Sequence, residues 1–402
     1  MAKVMVVAGG DWQIELVKKV KSMGHFVICS NLYKDSPAFP YADACEVADV
    51  LDKEKNLEIA RKYMPDAVIS DQSDIAVPTV AYLNEQLGLH GIGTKKAEIF
   101  TDKSLQREFC RKNGFAIPDF KVCESAEDAV PMLEKYGKII IKPIDSQSSR
   151  GVYTIETIAQ LRAKFEDSIS YSNRKKVFLA EEYIDGDEFT IDGLVVQGHH
   201  YPLCISVKEM YAQNPNISRT QTYSYLSKRH DYDKLRAANK ALIEAIGLPM
   251  GLTHSEYKFH KGEFYLIEAG ARGGGSNLSA KIVPFMSGID NYQYLIKEAL
   301  GEPVDEERVK NNVFSRDKFV IMRFFDFGEG LVDAVEGVDF LKNHPLLIDC
   351  QMEVKPGDVL INPEYGRLRP GHFIVGGEDE DEVKQAAGEI LEKVKVIFRQ
   401  GE

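Results

Sequence analysis

The sequence predicts an α/β protein whose N-terminal domain is a parallel sheet covered by helices. The first 95 residues alternate short runs of branched apolar residues with segments of helical periodicity, which is the pattern of parallel strands joined by helices. At 402 residues the chain is long enough for two or three subdomains. Its 44% hydrophobic and 28% charged residues are typical of an ordinary globular protein.

Within the N-terminal domain we expect strands at 3–7, 26–29 and 67–70 and helices at 13–22 and 53–62. The first strand runs into Gly9 and Gly10, where a dinucleotide-binding enzyme would carry GxGxxG and an acid about 20 residues later. Neither feature is present, so that class is excluded. The two glycines either let the backbone approach a substrate or make a tight turn. Trp12 either lines that site or packs between domains.

A pair of acids is predicted to lie on a short hairpin between residues 253 and 277. Lys261-Gly262 is a turn signal between two runs rich in aromatic and branched residues, which places Glu256 nearly opposite Glu268. Two carboxylates about 4–5 Å apart repel by roughly 4 kcal/mol at an effective dielectric of about 20, a cost that protonation or a cation relieves. Hard oxygen ligands of this kind suit magnesium held together with substrate phosphates. The alternative is a hairpin whose acids point to solvent.

Two lysines and a loop are candidate phosphate contacts. Lys142 ends a strand-like run and precedes a small-residue loop, whose backbone N–H groups can approach phosphate oxygens while the lysine adds a point charge. Lys103 begins a helical pattern for which Asp102 is the predicted cap. The common phosphate loop GxxxxGK[ST] does not occur, and the alternative is a surface loop with solvated lysines. The loop contains Ser146, Ser148, Ser149, Arg150 and Gly151.

An adenine site is predicted where two short strands flank an acidic glycine turn between residues 177 and 193. The backbone from Glu182 to Ile184 can offer edge hydrogen bonds to a purine. Glu188 can accept a hydrogen bond from a ribose hydroxyl. The alternative is an ordinary hairpin whose charges lie on its solvated face.

Taken in order, five segments resemble the ATP-grasp superfamily: DK at 102–103, IIKP at 140–143, the loop ending RG at 150–151, EEYIDG at 181–186 and SEYKF…GEFYLIEAGAR at 255–272. The resemblance covers nearly the whole chain. It is greatest to the branch that contains biotin carboxylase, carbamoyl-phosphate synthetase, the glycinamide ribonucleotide ligases and the L-amino-acid ligases. It implies a Rossmann-like domain at 1–95, an ATP-grasp domain at 96–305 with a lid at about 115–185, and an α+β closing domain like that of biotin carboxylase at 306–402.

The resemblance also implies roles at the nucleotide. Lys103 and Lys142 would neutralise the phosphates of ATP, and the loop from Ser146 to Gly151 would fold over them as a mobile flap. Glu181 would hold adenine together with the backbone at Glu182 and Ile184, and Glu188 would contact the ribose.

A second set of implied roles concerns the metal. Glu256 and Glu268 would ligate Mg²⁺, with Mn²⁺ as the alternative, and Arg272 would stabilise the charge that develops on the phosphorylated carboxylate. Many relatives carry Asn two positions after the second glutamate, whereas this chain has Gly270. Asn277 or water would then supply the missing ligand.

Substrate contacts are predicted at two further positions. The polar segment 214–225 reads as a loop, in which Arg219 either binds an acidic group of the substrate or is solvated. His254 lies two residues before Glu256, so in a strand it shares the face of that glutamate. It contacts phosphate or substrate, or is a structural histidine.

The C-terminal part is predicted to be strand-rich at 319–325 and from residue 353 onward, after a polar linker at 301–312. A final amphipathic helix is predicted from 380 to 398. The net charge of 50 − 62 = −12 and the lack of a long basic run exclude nucleic acid and anionic membranes as partners. Six cysteines without CxxC spacing and an N-terminus without a signal pattern favour a reduced cytoplasmic protein.

The resulting expectation is an ATP-dependent ligase whose partners are a small-molecule carboxylate and an amine, with a homodimer as an open possibility. The carboxylate attacks the γ-phosphate, and the amine then displaces phosphate from the acyl phosphate to form an amide. A bicarbonate-activating enzyme and a non-catalytic ATP-binding protein are the alternatives. Loss of catalysis usually removes a metal acid or a phosphate lysine, and here none is missing.

Overall fold

The computed structural model describes residues 1–172, 176–311 and 317–399. The N-terminal domain is a four-stranded parallel sheet in the order β3-β2-β1-β4, which confirms the predicted class. From β1 the chain passes to β2 and β3 on one side and then returns to β4 on the other side, so the strand order reverses between β1 and β4, and the loops after these two strands border a crevice at their carboxyl ends. The elements are β1 (Lys3–Val7), α1 (Ile14–Ser22), β2 (Phe26–Asn31), β3 (Ala44–Val47), α2 (Lys53–Tyr63), β4 (Ala67–Ile69), α3 (Val77–Leu87) and α4 (Thr94–Thr101).

A small antiparallel sheet with its own apolar core follows, in the order β5-β8-β6-β7. The strands of this sheet lie within the predicted lid at about 115–185, and two helices pack against the sheet. The elements are α5 (Lys103–Lys112), β5 (Phe120–Cys123), α6 (Ala126–Tyr136), β6 (Ile139–Pro143), β7 (Tyr153–Ile155), α7 (Ile158–Ser170) and β8 (Phe178–Glu182).

The central element is an eight-stranded antiparallel sheet in the order β13-β12-β9-β10-β11-β14-β18-β16. Its first five strands come from the middle of the chain. These elements are β9 (Glu188–Val196), β10 (His199–Met210), β11 (Ser218–Ser224), α8 (Tyr232–Ile246), β12 (Gly251–His260), β13 (Glu263–Gly270), α9 (Val283–Ser287), α10 (Asn291–Ala299) and α11 (Glu306–Lys310).

The C-terminal part extends this sheet instead of forming a separate one. β14 pairs with β11, so the last three strands of the sheet continue the middle part directly. One apolar cluster joins Val4 and Leu16 to Leu252, Val320 and Ile374, so the three parts of the chain share a core. The elements are β14 (Phe319–Phe324), β15 (Gly330–Glu336), α12 (Val338–Lys342), β16 (Leu347–Met352), β17 (Val359–Leu360), β18 (Gly371–Gly377), α13 (Glu380–Lys393) and β19 (Lys395–Phe398).

Three local predictions were wrong. The segment 214–225 contains the strand β11, in which Ser218 and Gln221 line a cavity, so the usual apolar alternation is missing. The last helix ends at Lys393 because Val394 is extended, and Lys395–Phe398 pairs with β15. The stretch after residue 353 is mostly irregular, with only the short strand β17 before β18.

The predicted linker at 301–312 contains the short helix α11, and its last residue lies outside the described residues. In the described ranges no helix is both long and apolar enough to cross a membrane.

Two glycines with left-handed backbones provide a matched test of how the last helix is anchored. Gly337 and Gly357 have φ values of +78° and +96°. A Cβ at Gly337 would lie 2.2 Å from the carbonyl oxygen of Lys393, whereas nothing lies within 4 Å of a Cβ at Gly357. Gly337→Ala should therefore lower the free energy of unfolding by about 1–3 kcal/mol more than Gly357→Ala, because the helix end must shift. Urea denaturation measures the difference, and equal midpoints would contradict this anchoring.

Candidate active site

Two adjoining cavities lie where the N-terminal domain, the lid and the central sheet meet. The inner cavity, of about 180 Å³, is bounded by the β12–β13 hairpin, the loop after β6 and the glycine-rich loop at 271–277. The outer cavity, of about 810 Å³, lies between the loops after β1 and β4 and the C-terminal segments around 351–358 and 366–372. Trp12 and Arg369 line both cavities.

The two glutamates lie directly opposite each other, as predicted from the hairpin. Glu256 is the register partner of Glu268 in the β12–β13 pair. Lys208 Nζ lies 2.7 Å from Glu256 Oε1, and Lys103 Nζ lies 2.9 Å from Glu268 Oε1. Burial alone would raise the pKa of Glu256, but Lys208 and then His254 outweigh it and hold this pKa well below its usual range. Each acid therefore has its own cation, which relieves the repulsion.

Lys208 is a site residue that the sequence analysis missed. It lies on β10 beside Glu188 of β9, and its Nζ is 2.9 Å from Glu188 Oε1 as well as close to Glu256. Burial lowers the pKa of Lys208, but the two carboxylates outweigh it and raise this pKa above its usual value. A single lysine within a strand carries no local sequence signal, since its partners come from neighbouring strands.

The two predicted phosphate lysines are both buried next to the hairpin. Asp102 caps α5 as predicted, by accepting from the N–H groups of Ser104 and Leu105. Lys103 Nζ donates to the carbonyl of Ser146 at 2.7 Å. Lys142 Nζ lies 2.7 Å from Glu181 Oε2, and burial lowers the pKa of Lys142 although Glu181 opposes this.

Glu181 is only 2% exposed, and its carboxylate is fully engaged. It pairs with Arg107 Nε at 2.7 Å and with Lys142. Burial raises the pKa of Glu181, but Arg107 and then Lys142 outweigh it, so the pKa is lowered overall. An adenine contact from this residue would have to come from its backbone.

The other predicted adenine residues have partners of their own. The N–H of Glu182 donates to the carbonyl of Asp119 at 2.9 Å, and the carbonyl of Ile184 accepts from Lys258 Nζ at 3.2 Å. Glu188, predicted at the ribose, lines the inner cavity next to Glu256.

The predicted flap contacts both the hairpin side and the C-terminal part. Ser148 and Ser149 have left-handed φ values of 60° and 58° and line the inner cavity. The N–H of Gly366 donates to the carbonyl of Ser148 at 3.1 Å. Ser146 Oγ donates to the carbonyl of Arg150 within the loop. A Cβ at Gly151 would lie 2.9 Å from Pro143, so this glycine is required by packing.

Arg272 is held by an acid from the N-terminal domain. Its Nε and Nη2 donate to Asp74 at 2.9 and 2.8 Å, in a bidentate pair. A Cβ at Gly270 would lie 3.2 Å from Asp74 Oδ1, so this pair fills the space beside the position where many relatives carry Asn. Asp74 was missed because it is far from the hairpin in sequence.

The neighbouring glycines of this loop are fixed by two further buried aspartates. The N–H of Gly273 donates to Asp71 at 2.6 Å, and the N–H of Gly274 donates to Asp192 at 3.3 Å. Asp192 also accepts from His254 Nδ1 at 2.9 Å. Burial lowers the pKa of His254, but Asp192 outweighs it and raises this pKa to about 9. His254 is therefore a cation that lines the inner cavity.

Among the other predicted substrate and metal residues, Gly10 lines a cavity, whereas Asn277, Arg219 and Gly9 contact the surrounding structure. Asn277 Nδ2 donates to Asp349 at 3.0 Å, and Asn277 lines neither cavity. Arg219 also lies outside both and is 3.9 Å from Glu209. A Cβ at Gly9 would lie 2.8 Å from Cys29 Sγ, which indicates packing, whereas Gly10 lines the outer cavity.

The described residues contain no group of three or more His, Cys, Asp or Glu side chains arranged to hold a metal. A metal at Glu256 and Glu268 would therefore complete its coordination with phosphate oxygens and water, which is how Mg²⁺ is commonly bound.

Comparison with known families identifies two parts of the chain. Residues 136–280 match the ATP-grasp domain, and residues 323–399 match the L-amino acid ligase C-terminal domain 2. The predicted resemblance is therefore confirmed, and residues 136–280 are an ATP-grasp domain.

The curated relatives include ligases and transferases. The alanine–anticapsin ligase of Bacillus subtilis (strain 168) is 30% identical over 270 residues, which cover 60% of this chain and 56% of the relative. A formate-dependent phosphoribosylglycinamide formyltransferase of Bacteroides fragilis is 25% identical over 191 residues, or 46% of this chain and 49% of the relative. The chain thus spans about half the length of the curated relatives it matches.

Solved structures resemble the whole chain and confirm the ATP-grasp fold. The L-amino acid ligase from Bacillus licheniformis has a TM-score of 0.82 at 21% identity, covering 100% of this chain and 99% of that one. The phosphoribosylglycinamide synthetase from Anaerococcus prevotii has a TM-score of 0.75 at 18% identity, covering 99% and 100%. The biotin carboxylase domain of Hydrogenobacter thermophilus 2-oxoglutarate carboxylase, a dimer in complex with MgADP, has a TM-score of 0.75 at 17% identity, covering 98% and 90%.

The buried pair of Arg107 and Glu181 can be compared with a surface pair on the same helix. Arg107 is fully buried, whereas Arg111, one turn later, is 63% exposed and pairs with Glu108. Arg107→Met should lower the free energy of unfolding by about 3 kcal/mol, because it leaves the buried Glu181 with one cation fewer. Arg111→Met should cost about 0–1 kcal/mol. Chemical denaturation distinguishes them, and equal losses would contradict a structural role for the buried pair.

Proposed function

We propose that this protein is an ATP-dependent carboxylate–amine ligase that uses Mg²⁺. The observation that carries the proposal is the pairing of Glu256 with Glu268 across the hairpin, with a cation against each carboxylate and Arg272 on the adjoining loop. Phosphoryl transfer requires this combination of metal ligands and fixed positive charge more than it requires covalent catalysis. The relatives named as amino-acid ligases support the same reaction class.

The donor set fits magnesium. Glu256 and Glu268 offer two hard oxygen ligands, and Mn²⁺ accepts the same ligand type. When bound, the metal would screen the charge of the ATP phosphates. Lys103 and Lys208 lie against the two carboxylates, so with Glu256 and Glu268 holding a metal they would be close enough to contact phosphate oxygens. Lys142, which pairs with Glu181, would add a third cation on the lid side.

The proposed reaction has two steps. An oxygen of the substrate carboxylate attacks the γ-phosphorus, and the bond from that phosphorus to the ADP oxygen breaks, giving an acyl phosphate. The amine nitrogen then attacks the acyl carbon, loses a proton, and expels phosphate. Arg272 would stabilise the charge on the carboxylate, since Asp74 fixes the orientation of its guanidinium.

Water must be excluded between the two steps, because an acyl phosphate hydrolyses readily. We assign this task to the loop from Ser146 to Gly151, which already contacts the C-terminal part through Ser148 and Gly366. In the proposed division into domains, this loop belongs to the lid at about 115–185, which is part of the domain at 96–305. A homodimer is part of the proposal, because one structural relative is described as a dimer.

Metal ligation by the hairpin can be tested with two glutamates of the same strand. Glu268→Gln should lower ADP formation by at least about a hundredfold while ATP still binds, because the metal is no longer positioned against the γ-phosphate. Glu263→Gln is the control, since Glu263 lies on β13 and its side chain is 45% exposed. The measurements are ADP release and ATP affinity by calorimetry. Near-normal turnover of Glu268→Gln would contradict the proposed site.

The reaction class can be tested with unmodified protein. ADP release is measured across pairs of organic acids and amines, with bicarbonate alone as the control, and products are identified by mass spectrometry. We expect ADP release to require one organic acid and one amine and to yield their condensation product minus water. Turnover that depends on bicarbonate and is indifferent to organic acids would contradict amide formation and favour the carboxylase alternative.

A further inference from the structure

The segment that follows Arg272 has an unusual backbone. Ser276 and Asn277 are consecutive residues with left-handed φ values of 56° and 59°. The next five residues, Leu278–Ile282, form a single turn of π-helix. A left-handed backbone is unfavourable for residues other than glycine and a π-turn is rare, so both persist only where the surrounding structure fixes them. Because the segment begins at the proposed catalytic arginine, the groups that fix it also bear on the site.

The groups that fix this segment form a buried polar network around Asp71, which is 1% exposed. Asp71 accepts from the N–H of Gly273 at 2.6 Å and from Ser279 Oγ, which lies on the π-turn. It also accepts from the hydroxyl of Tyr292 at 2.8 Å. Burial raises the pKa of Asp71, although these hydrogen bonds oppose it. Among the described residues no cation forms an ion pair with Asp71, so hydrogen bonds alone compensate for its burial.

Tyr292 is a permanent donor in this network. It lies on α10, is 5% exposed, and accepts from Gln72 Nε2 at 3.0 Å while it donates to Asp71. Burial, and then the charge of Asp71, raise the pKa of Tyr292 well above its usual value, so its hydroxyl stays protonated. Gln72 Oε1 in turn accepts from the N–H of Asn277 at 3.0 Å. The hydroxyl of Tyr292 is therefore connected to the left-handed residues through Gln72 and to the π-turn through Asp71.

Gly273 shows how closely the network packs against the loop. A Cβ at Gly273 would lie 2.3 Å from Ser279 Cβ and 2.9 Å from Asp71 Oδ1, so its backbone can move little while both residues are in place. Arg272 is the preceding residue, and its Nη1 donates to the carbonyl of Gly273 at 3.0 Å. Asp71 thus fixes the backbone next to Arg272, and Asp74, three residues later on the same loop, fixes its guanidinium.

We propose that Tyr292 is a positioning residue for phosphoryl transfer, acting through Asp71 on the backbone that carries Arg272. This inference rests on the proposed function, because it takes Arg272 as the group that stabilises the charge on the carboxylate. Tyr292 lines neither the inner nor the outer cavity, so its effect reaches the reaction only through the loop. A displacement of about 1 Å at a catalytic group can slow a reaction about a hundredfold.

Two tyrosines of α10 provide a matched test. Tyr294, two residues after Tyr292, is 7% exposed and donates its hydroxyl to the carbonyl of Asp305 at 2.8 Å. The rate of ADP formation in a single turnover of MgATP is measured with the acid–amine pair that supports turnover of the wild-type protein, and MgADP affinity is measured by calorimetry. Tyr292→Phe should slow this rate at least about tenfold with MgADP affinity unchanged, because the proposed nucleotide contacts lie outside the network. Tyr294→Phe should change neither quantity, and an unchanged rate in Tyr292→Phe or equal losses in the two variants would overturn the proposal.

Trp12 provides a second measurement that needs no substrate. It is the only tryptophan of the chain, and a Cβ at Gly275 would lie 3.4 Å from its ring, so its fluorescence reports the position of the loop. Tyr292→Phe should increase acrylamide quenching of Trp12 in the MgADP complex, because the loop is no longer fixed against the ring. Tyr294→Phe should leave the quenching unchanged. Equal quenching in the wild-type protein and Tyr292→Phe would contradict the path from Asp71 to the loop.

Ser279→Ala removes a different donor from Asp71, and it carries the test if Tyr292→Phe does not fold. It should reproduce both the slower single turnover and the stronger quenching. The double variant should be slowed by less than the product of the two single effects, because each single variant already releases the same loop. Effects that multiply would show that the two hydroxyls act independently and would overturn a shared action through Asp71.

The measurements separate this inference from the proposed function. If no acid–amine pair supports turnover of the wild-type protein, the proposed function is contradicted, and the fluorescence of Trp12 still decides the inference. If the wild-type protein turns over and Tyr292→Phe lowers only the free energy of unfolding, the residue is structural and the inference alone is overturned.

Discussion

The geometry of the candidate site depends on three buried or nearly buried aspartates that fix the glycine-rich loop. Asp71 and Asp74 come from the loop after β4, and Asp192 comes from β9, so the loop is tied to the N-terminal domain and to the central sheet at once. Glycines allow this because their backbone N–H groups can approach a carboxylate closely. Since Arg272 is oriented by Asp74, any movement of the N-terminal domain would move the arginine relative to the hairpin.

Charge balance is the second constraint on the site. Removing a carboxylate or an ammonium from water costs several kcal/mol, which is recovered only when partners are close and well oriented. The chain meets this requirement by pairing Glu256 with Lys208, Glu268 with Lys103, and Glu181 with Lys142. A bound nucleotide and metal would take the place of some partners within this set of ion pairs. Much of the free-energy cost of burying the charges is therefore already offset in the folded protein.

The sequence predicted what local patterns encode. The hairpin could be predicted because a Lys-Gly turn lies between two aromatic runs. The pairing register of the two strands then placed Glu256 opposite Glu268. Lys208 and Asp74 were missed because their partners are dozens of residues away and come together only through strand order and domain packing. β11 was predicted to be a loop because most of its residues are polar, including Ser218 and Gln221 at the inner cavity, which removes the apolar alternation on which strand prediction relies. Asn277 was proposed to replace the asparagine that many relatives carry at the position of Gly270, and in the structure its Nδ2 donates to Asp349.

The cations around the two cavities differ in their partners. In the inner cavity Lys208, His254 and Arg272 are matched to carboxylates, so the chain itself completes the electrostatics and a ligand must replace an existing partner. Arg369, on the wall shared by the two cavities, is oriented by carbonyl groups and an aromatic ring. Among the described residues no carboxylate forms an ion pair with Arg369. A ligand that approaches this wall would displace water without breaking an ion pair, whereas a ligand that contacts Lys208 or Arg272 must replace a carboxylate, which lowers the net gain from that contact.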